Sequence, residues 1–155
     1  MWVDAAIQLV TAGIGALGFS LIFNVRRDLL AATTLGGILD WGVYLIASWF
    51  WGGVFLPSVA AAAFASLYSE AVARMKHAPA TVFYIPALIP LVPGGSLYYT
   101  MNYALNEQWS LFVQKAFSTL ELALALSVGI IAVTTLTRMY MAVKSRLKNH
   151  SLFHI

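Results

Sequence analysis

Five stretches of about 20 mostly apolar residues follow one another along this chain, and each is long enough to cross a bilayer as a helix. They cover residues 5–23, 29–50, 54–73, 81–105 and 116–137. Of the 155 residues, 61% are hydrophobic and only 10% are charged, whereas soluble domains carry about 25% charged residues. We therefore predict an all-α integral membrane protein with a single membrane domain over residues 1–155 and a cytoplasmic tail over 138–155.

The positive charges predict an orientation, because Lys and Arg are retained on the cytoplasmic side. Eight of the nine cations lie in alternate connections or in the tail: Arg26, Arg27, Arg74, Lys76, Arg138, Lys144, Arg146 and Lys148. The opposite connections hold only Lys115. Four tryptophans then fall near the outer interface, where indole rings concentrate: Trp2, Trp49, Trp51 and Trp109. We predict that the N-terminus lies outside and the C-terminus inside. Cations this dispersed form no basic stripe and predict no nucleic-acid partner.

The fourth span contains three prolines and a glycine pair, and this is the most informative feature of the sequence. A proline inside a helix removes an amide donor and clashes with the preceding turn, at a cost of about 3 kcal/mol. We therefore expect Pro86, Pro90 and Pro93, followed by Gly94 and Gly95, to break the helix. A break at bilayer depth must line a cavity or be packed against protein, because lipid satisfies no backbone polar group.

The residues after the break predict a binding site for a small molecule. We expect Gly94, Gly95 and Ser96 to start a second half-helix, with Ser96 as a candidate N-cap. The free amides and positive dipole end of such a helix start suit a carboxylate. Tyr98 and Asn102 are four residues apart and are expected to face the same cavity. The predicted substrate-binding residues are Pro93, Gly94, Gly95, Ser96, Tyr98, Tyr99, Asn102 and Asp40. A kinked packing helix, with its prolines satisfied by neighbours, is the alternative.

Two acids inside spans need an explanation, because an ionisable side chain at the centre of a membrane helix costs about 2.5–3.5 kcal/mol. Asp40 lies near the middle of the second span, beside Gly36, Gly37 and Gly42. It is either a proton carrier or counter-charge for an ammonium group, or a protonated carboxyl bonded to a neighbouring helix. Glu121 lies nearer the outer end of its span, where we expect it to reach the interface.

The sequence contains no motif for catalysis or for binding a metal or cofactor. His77, His150 and His154 do not form a zinc-helix pattern, and there is no cysteine. No phosphate loop, nucleophile triad or paired carboxylates appear. We predict neither catalysis nor a bound metal or cofactor.

Two segments resemble the threonine/serine exporter family, in particular the small subunit of its split, two-gene form. They are residues 18–25, Gly-Phe-Ser-Leu-Ile-Phe-Asn-Val, and the proline-glycine stretch of residues 85–101. The resemblance covers essentially the whole chain and places Pro86, Pro90, Pro93, Gly94 and Ser96 in the family's signature. Arg26 departs from it, since relatives often have proline there. The resemblance implies a five-span half of a bacterial inner-membrane exporter that pairs with a larger membrane subunit.

The resemblance further implies that threonine/serine-type amino acids or C4-dicarboxylates such as succinate are exported. Together with the broken span, it predicts a subunit of a secondary exporter with a site at the membrane midplane. A zwitterion needs one anion site and one cation site, which the half-helix start and Asp40 would supply. A dicarboxylate needs two anion sites, yet no Lys or Arg is central in the spans. The chain alone therefore favours amino acids. A non-transporting scaffold subunit is the alternative function, and a homo-oligomer is the alternative assembly.

Overall fold

The computed structural model describes the backbone of residues 2–152 and the side chains of residues 3–140. Within this part the chain is helical, with no strand. The helices are α1 (Trp2–Ile22), α2 (Leu30–Trp51), α3 (Phe55–Lys76), α4 (Ala80–Leu88), α5 (Gly94–Leu105) and α6 (Trp109–Leu152), and a 3₁₀ turn (Ile89–Leu91) follows α4. The side chains of Trp2, Lys144, Arg146, Lys148 and His150, and all of His154, lie outside the described residues.

Four helices are long and apolar enough to cross a membrane: α1, α2, α3 and α6. The segments Ala80–Leu91 and Gly94–Leu105 are bent by 48° and together make a fifth candidate span. The predicted all-α membrane fold with a broken fourth span is thus confirmed. Helix α6 begins at Trp109, earlier than the predicted span near residue 116, and it stays helical through Leu152. The orientation remains a prediction.

The distribution of side chains is that of a membrane protein, because small residues fill the interior and large apolar ones lie outside. Ala16 of α1, Ala61 and Ala65 of α3, and Ala125 of α6 are fully buried. On α1 the exposed residues recur along one face: Val3, Ile7, Val10 and Ile14. Hydrocarbon solvates such a face, and small interior residues let helix backbones approach closely.

Helices α2 and α3 form the centre of the bundle. Helix α2 packs against α1, α3 and α4, and α3 packs against α4 and α6. Helix α5 packs on α6 and has no buried residue. The interior backbone contacts are close: a Cβ built on Gly37 would lie 2.5 Å from the Cβ of Ala16. The 3₁₀ turn of the broken span packs against both α1 and α2, so the break lies beside these two helices.

A buried polar contact joins α1 to α2. The Ser20 hydroxyl shares its one proton between the hydroxyl of Thr33 at 2.8 Å and the carbonyl of Ala16 at 2.7 Å, and both hydroxyls are fully buried. Replacing Thr33 with valine keeps the shape, removes the interhelical bond and leaves Ser20 bonded to Ala16. We expect this variant to lose about 1 kcal/mol of unfolding free energy, measured by denaturant titration in micelles. Thr137→Val, which breaks only a bond within α6 to Val133, is the control and should change stability less.

At the end predicted to be cytoplasmic, Arg26 and Asp28 form an exposed ion pair between α1 and α2, with 2.7 Å between Nη2 and Oδ2. The hydrogen bond from Arg26 lowers the pKa of Asp28 and raises that of Arg26. Both groups therefore stay charged at neutral pH. Because the pair is fully exposed, its contribution to stability is small.

Candidate functional site

The break in the fourth span occupies fewer residues than its sequence predicts. Helix α4 includes Pro86 and ends at Leu88, and Pro90 lies within the 3₁₀ turn. Only Val92 and Pro93 separate that turn from α5. Pro86 was expected to break the helix, and this was wrong. The second half-helix begins at Gly94, as the sequence predicts, so Gly94 and Gly95 belong to the first turn of α5.

Hydrogen bonds of the 3₁₀ type explain how the chain passes Pro90. The Ile89 amide donates to the Pro86 carbonyl, and the Val92 amide donates to the Ile89 carbonyl at 3.2 Å. Pro90 lacks the amide that would have bonded the Pro86 carbonyl in an α-helix. Tighter turns are the usual way in which a helix end satisfies such carbonyls.

Helix α5 begins with two amides that have no acceptor within the helix. Its N-cap is Pro93, and no side chain caps it, so the prediction that Ser96 is the N-cap was wrong. The Gly94 amide donates to the Val92 carbonyl at 2.7 Å, and the Leu97 amide donates to the Pro93 carbonyl at 2.9 Å. The amides between them, those of Gly95 and Ser96, are free donors of the kind that every helix start leaves. They carry the positive end of the helix dipole.

A cavity of about 220 Å³ lies against this helix start. We call it the break cavity. It is lined by residues 90–93 of the break, by Gly95 and Ser96, by Trp41 and Tyr44 of α2, and by Leu122 of α6. The rings of Trp41 and Tyr44 stack on each other, with centroids 4.9 Å apart. The cavity thus combines free amide donors with an aromatic wall and apolar sides.

A second cavity, of about 250 Å³, lies on the α1 side and shares Trp41 and Pro90 with the first. Its other lining residues are Gln8, Thr11 and Ala12. The Trp41 indole donates to the Gln8 side-chain oxygen at 3.2 Å. Trp41 is therefore held from both sides, by a hydrogen bond on α1 and by stacking on Tyr44. It forms a wall between the two cavities together with Pro90.

The structure brings four of the predicted site residues to the break: Pro93, Gly94, Gly95 and Ser96, three of which line the cavity. Tyr98, Tyr99 and Asn102 are not among its lining residues. Tyr98 is 66% exposed, and the Asn102 side-chain oxygen accepts from Asn106 at 3.1 Å. The bend and the packing of α5 on α6 leave these three on the outer surface of the chain. Their role in binding remains a prediction.

Asp40 is buried next to the site rather than in it. It is fully buried, and it is absent from the residues that line the break cavity. Neither carboxyl oxygen has a hydrogen-bond partner among the described residues. It lies on the buried face of α2 with Thr33, Gly36 and Gly37. The predicted interhelical hydrogen bond of a structural carboxyl is not present in this part of the chain.

Sequence reasoning missed the aromatic wall. Trp41 and Tyr44 are three residues apart and lie near the middle of the second span, whereas membrane tryptophans and tyrosines usually occupy the interfaces. An aromatic pair in the middle of a span, next to an acid, could therefore have indicated that these rings line a site. Among the described residues no group of three or more His, Cys, Asp or Glu is arranged to hold a metal.

The long apolar helices and the bent fourth span are those of a multi-pass membrane protein by length and composition, and many secondary transporters contain a discontinuous span of this kind. The family model described as threonine/serine exporter, ThrE, matches residues 8–136. The chain therefore belongs to the threonine/serine exporter family, as its sequence predicts, and is an exporter-type transporter subunit. No solved structure matches the chain. Its assignment to the split form, and the link to succinate, stay predictions.

Proposed function

We propose that this chain is a subunit of a secondary exporter that moves threonine/serine-type amino acids out of the bacterial cytoplasm through the break cavity. One observation supports this most: in a chain of an exporter family, the interrupted span coincides with a cavity that has free amide donors on one wall. Discontinuous helices hold substrate in this way in many secondary transporters.

The chemistry of the cavity favours an amino acid. The free amides of Gly95 and Ser96 suit its carboxylate, and the stacked rings of Trp41 and Tyr44 suit its ammonium group through a cation–π contact. No Lys or Arg is among the residues that line this cavity. A C4-dicarboxylate would therefore find a partner for one carboxylate only.

The exposed backbone at the break supports a protein partner. Val92 is 50% exposed, and Gly94 and Gly95 are exposed, on the surface of this chain. Irregular backbone at membrane depth must face protein or a watery cavity, because lipid offers no hydrogen bonds. We propose that a larger membrane subunit of the same family covers this surface, with a second copy as the alternative. Tyr98, Tyr99 and Asn102 would then contact the substrate or the partner from the exposed side of α5.

Transport by inside-out membrane vesicles tests the proposal. The vesicles come from cells that express the chain with its native membrane partners. We expect vesicles with the chain to accumulate labelled threonine and serine, and vesicles without it to accumulate neither. Accumulation of labelled succinate alone would contradict the amino-acid assignment. A chain that co-purifies with a partner while neither solute moves would indicate the scaffold role instead.

A further inference from the structure

We propose that Asp40 is a proton-binding site that is separate from the substrate cavity and couples export to a proton gradient. The coupling part of this proposal rests on the proposed function, whereas proton binding does not.

Among the described residues, the carboxyl group of Asp40 has no hydrogen-bond partner on either oxygen, and both oxygens are buried. One turn before it on the same face of α2, Gly36 and Gly37 contact α1, α3 and α4 through Ala16, Tyr68 and Ala87. This face of α2 is therefore packed closely against three helices. An ionised carboxylate without a partner is strongly disfavoured there, so the group holds a proton in this conformation.

Each helix packed against α2 carries few titratable groups. Helix α4 contributes Tyr84, whose hydroxyl is buried without a hydrogen-bond partner among the described residues. Helix α3 contributes Tyr68, whose hydroxyl donates to the Ala32 carbonyl at 2.7 Å. On α2 itself, Tyr44 faces the break cavity. Helix α1 offers no titratable group on its buried face, and the 3₁₀ turn holds none.

Charged side chains on these helices lie far along the chain from Asp40. Glu70, Arg74 and Lys76 occupy the last turns of α3, where Arg74 pairs with Glu70 at 3.5 Å. Asp4 occupies the first turn of α1. Helices α2, α4 and α5 contain no Lys, Arg or His. No cation of the described bundle therefore neutralises Asp40, which leaves a proton as the ligand.

A metal cation fits this site less well than a proton. A cation such as Na⁺ needs several oxygen ligands around one point, whereas a proton needs a single carboxyl oxygen. Among the described residues no group of three or more His, Cys, Asp or Glu is arranged to hold a metal.

The proton step is simple in its chemistry. In the conformation open to the outside, the Asp40 carboxylate takes a proton from hydronium, which forms an O–H bond and leaves water. In the conformation open to the cytoplasm, water removes that proton and restores the carboxylate. No oxidation or reduction takes place. Because Trp41 follows Asp40 directly and walls the break cavity, substrate binding and proton binding act on adjacent residues of one helix.

Infrared spectroscopy of the complex at neutral pH tests proton binding without transport. We expect a carbonyl band of a protonated carboxyl that disappears in Asp40→Asn and persists in the control Glu121→Gln, whose acid is exposed. Isotope labelling of aspartate carboxyls in the unmodified protein should shift the same band, so the test does not depend on the folding of a variant. A band that fails to shift, or persists in Asp40→Asn, would overturn the proposal.

Transport then tests coupling. We expect Asp40→Asn vesicles to exchange labelled threonine across the membrane but to lose its uphill accumulation under an imposed proton gradient. Glu121→Gln vesicles should retain both. Three results would each contradict proton coupling at Asp40. The first is uphill accumulation of threonine by Asp40→Asn vesicles, the second is a loss of exchange as well as accumulation in these vesicles, and the third is accumulation driven by a sodium gradient. If unmodified vesicles neither exchange nor accumulate any solute, the proposed function and the coupling fail, while the infrared band still decides proton binding.

Discussion

Replacing Gly95 with leucine will abolish export while the amount of the protein in the membrane stays unchanged. Gly95 lines the break cavity, and a Cβ built on it meets no atom within 4 Å, so the helix accepts a side chain there. Leucine also has a better helix propensity than glycine, by up to about 1 kcal/mol. The side chain would occupy the space next to the two free amides and displace the substrate. The measurement is threonine accumulation by inside-out vesicles, normalised to the level of the chain.

Gly18→Leu is the matched control for this variant. A Cβ on Gly18 of α1 also meets nothing within 4 Å. Gly18 lines neither of the two cavities that Trp41 separates. It should transport like the unmodified chain. Normal export by Gly95→Leu would show that substrate does not pass the start of α5. A loss of export in both variants would point to a general effect of leucine on these helices.

Replacing Gly129 with alanine or leucine will destabilise the fold, and leucine will prevent the chain from accumulating. A Cβ on Gly129 of α6 would lie 2.6 Å from the Val59 carbonyl oxygen and 3.1 Å from the Ala63 amide nitrogen of α3. Both are backbone atoms, so relief requires α6 to move away from α3 as a whole. Overpacking of this kind costs about 1–3 kcal/mol, and more for a larger side chain. For the alanine variant, the measurement is the free energy of unfolding in micelles. For the leucine variant, it is the amount of the protein in the membrane.

Gly15→Ala is the control for Gly129→Ala. It makes the same change of residue type at a position where the added Cβ has free space. A Cβ on Gly15 of α1 meets nothing within 4 Å. Alanine there should be neutral or stabilise by about 0.5–1 kcal/mol, because glycine inside a helix is less favourable than alanine. Equal stability of Gly129→Ala and Gly15→Ala would disprove the close contact between α3 and α6.

The prediction that the fourth span is broken was right. The predictions of where its first half ends and of which residue caps its second half were wrong. Three prolines within eight residues made an uninterrupted α-helix impossible on backbone chemistry alone. Where the α-helix stops depended on which carbonyls find an alternative donor. The Ile89 amide bonds the Pro86 carbonyl, which the missing amide of Pro90 would otherwise leave without a donor, and a 3₁₀ turn follows α4. Pro93 rather than Ser96 then occupies the N-cap position of α5.

The candidate site was predicted in part. Gly95 and Ser96 were found because a helix start always leaves free amides, which is a local property. Trp41 was missed, since its contact with the break depends on how α2 packs against α4 and the 3₁₀ turn. Tyr98 was placed in the cavity by its spacing on the helix, whereas the 48° bend and the packing of α5 on α6 leave it exposed.

The sequence by itself determined that this chain is a bundle of apolar helices with one interrupted span, because hydropathy and the missing proline amides act within each segment. It also determined that a carboxyl group lies within the second span. The tertiary structure alone decided what surrounds that carboxyl and which residues face the break. Both depend on contacts between helices that are distant in sequence, and small residues such as Gly37 and Gly129 set how closely those helices approach.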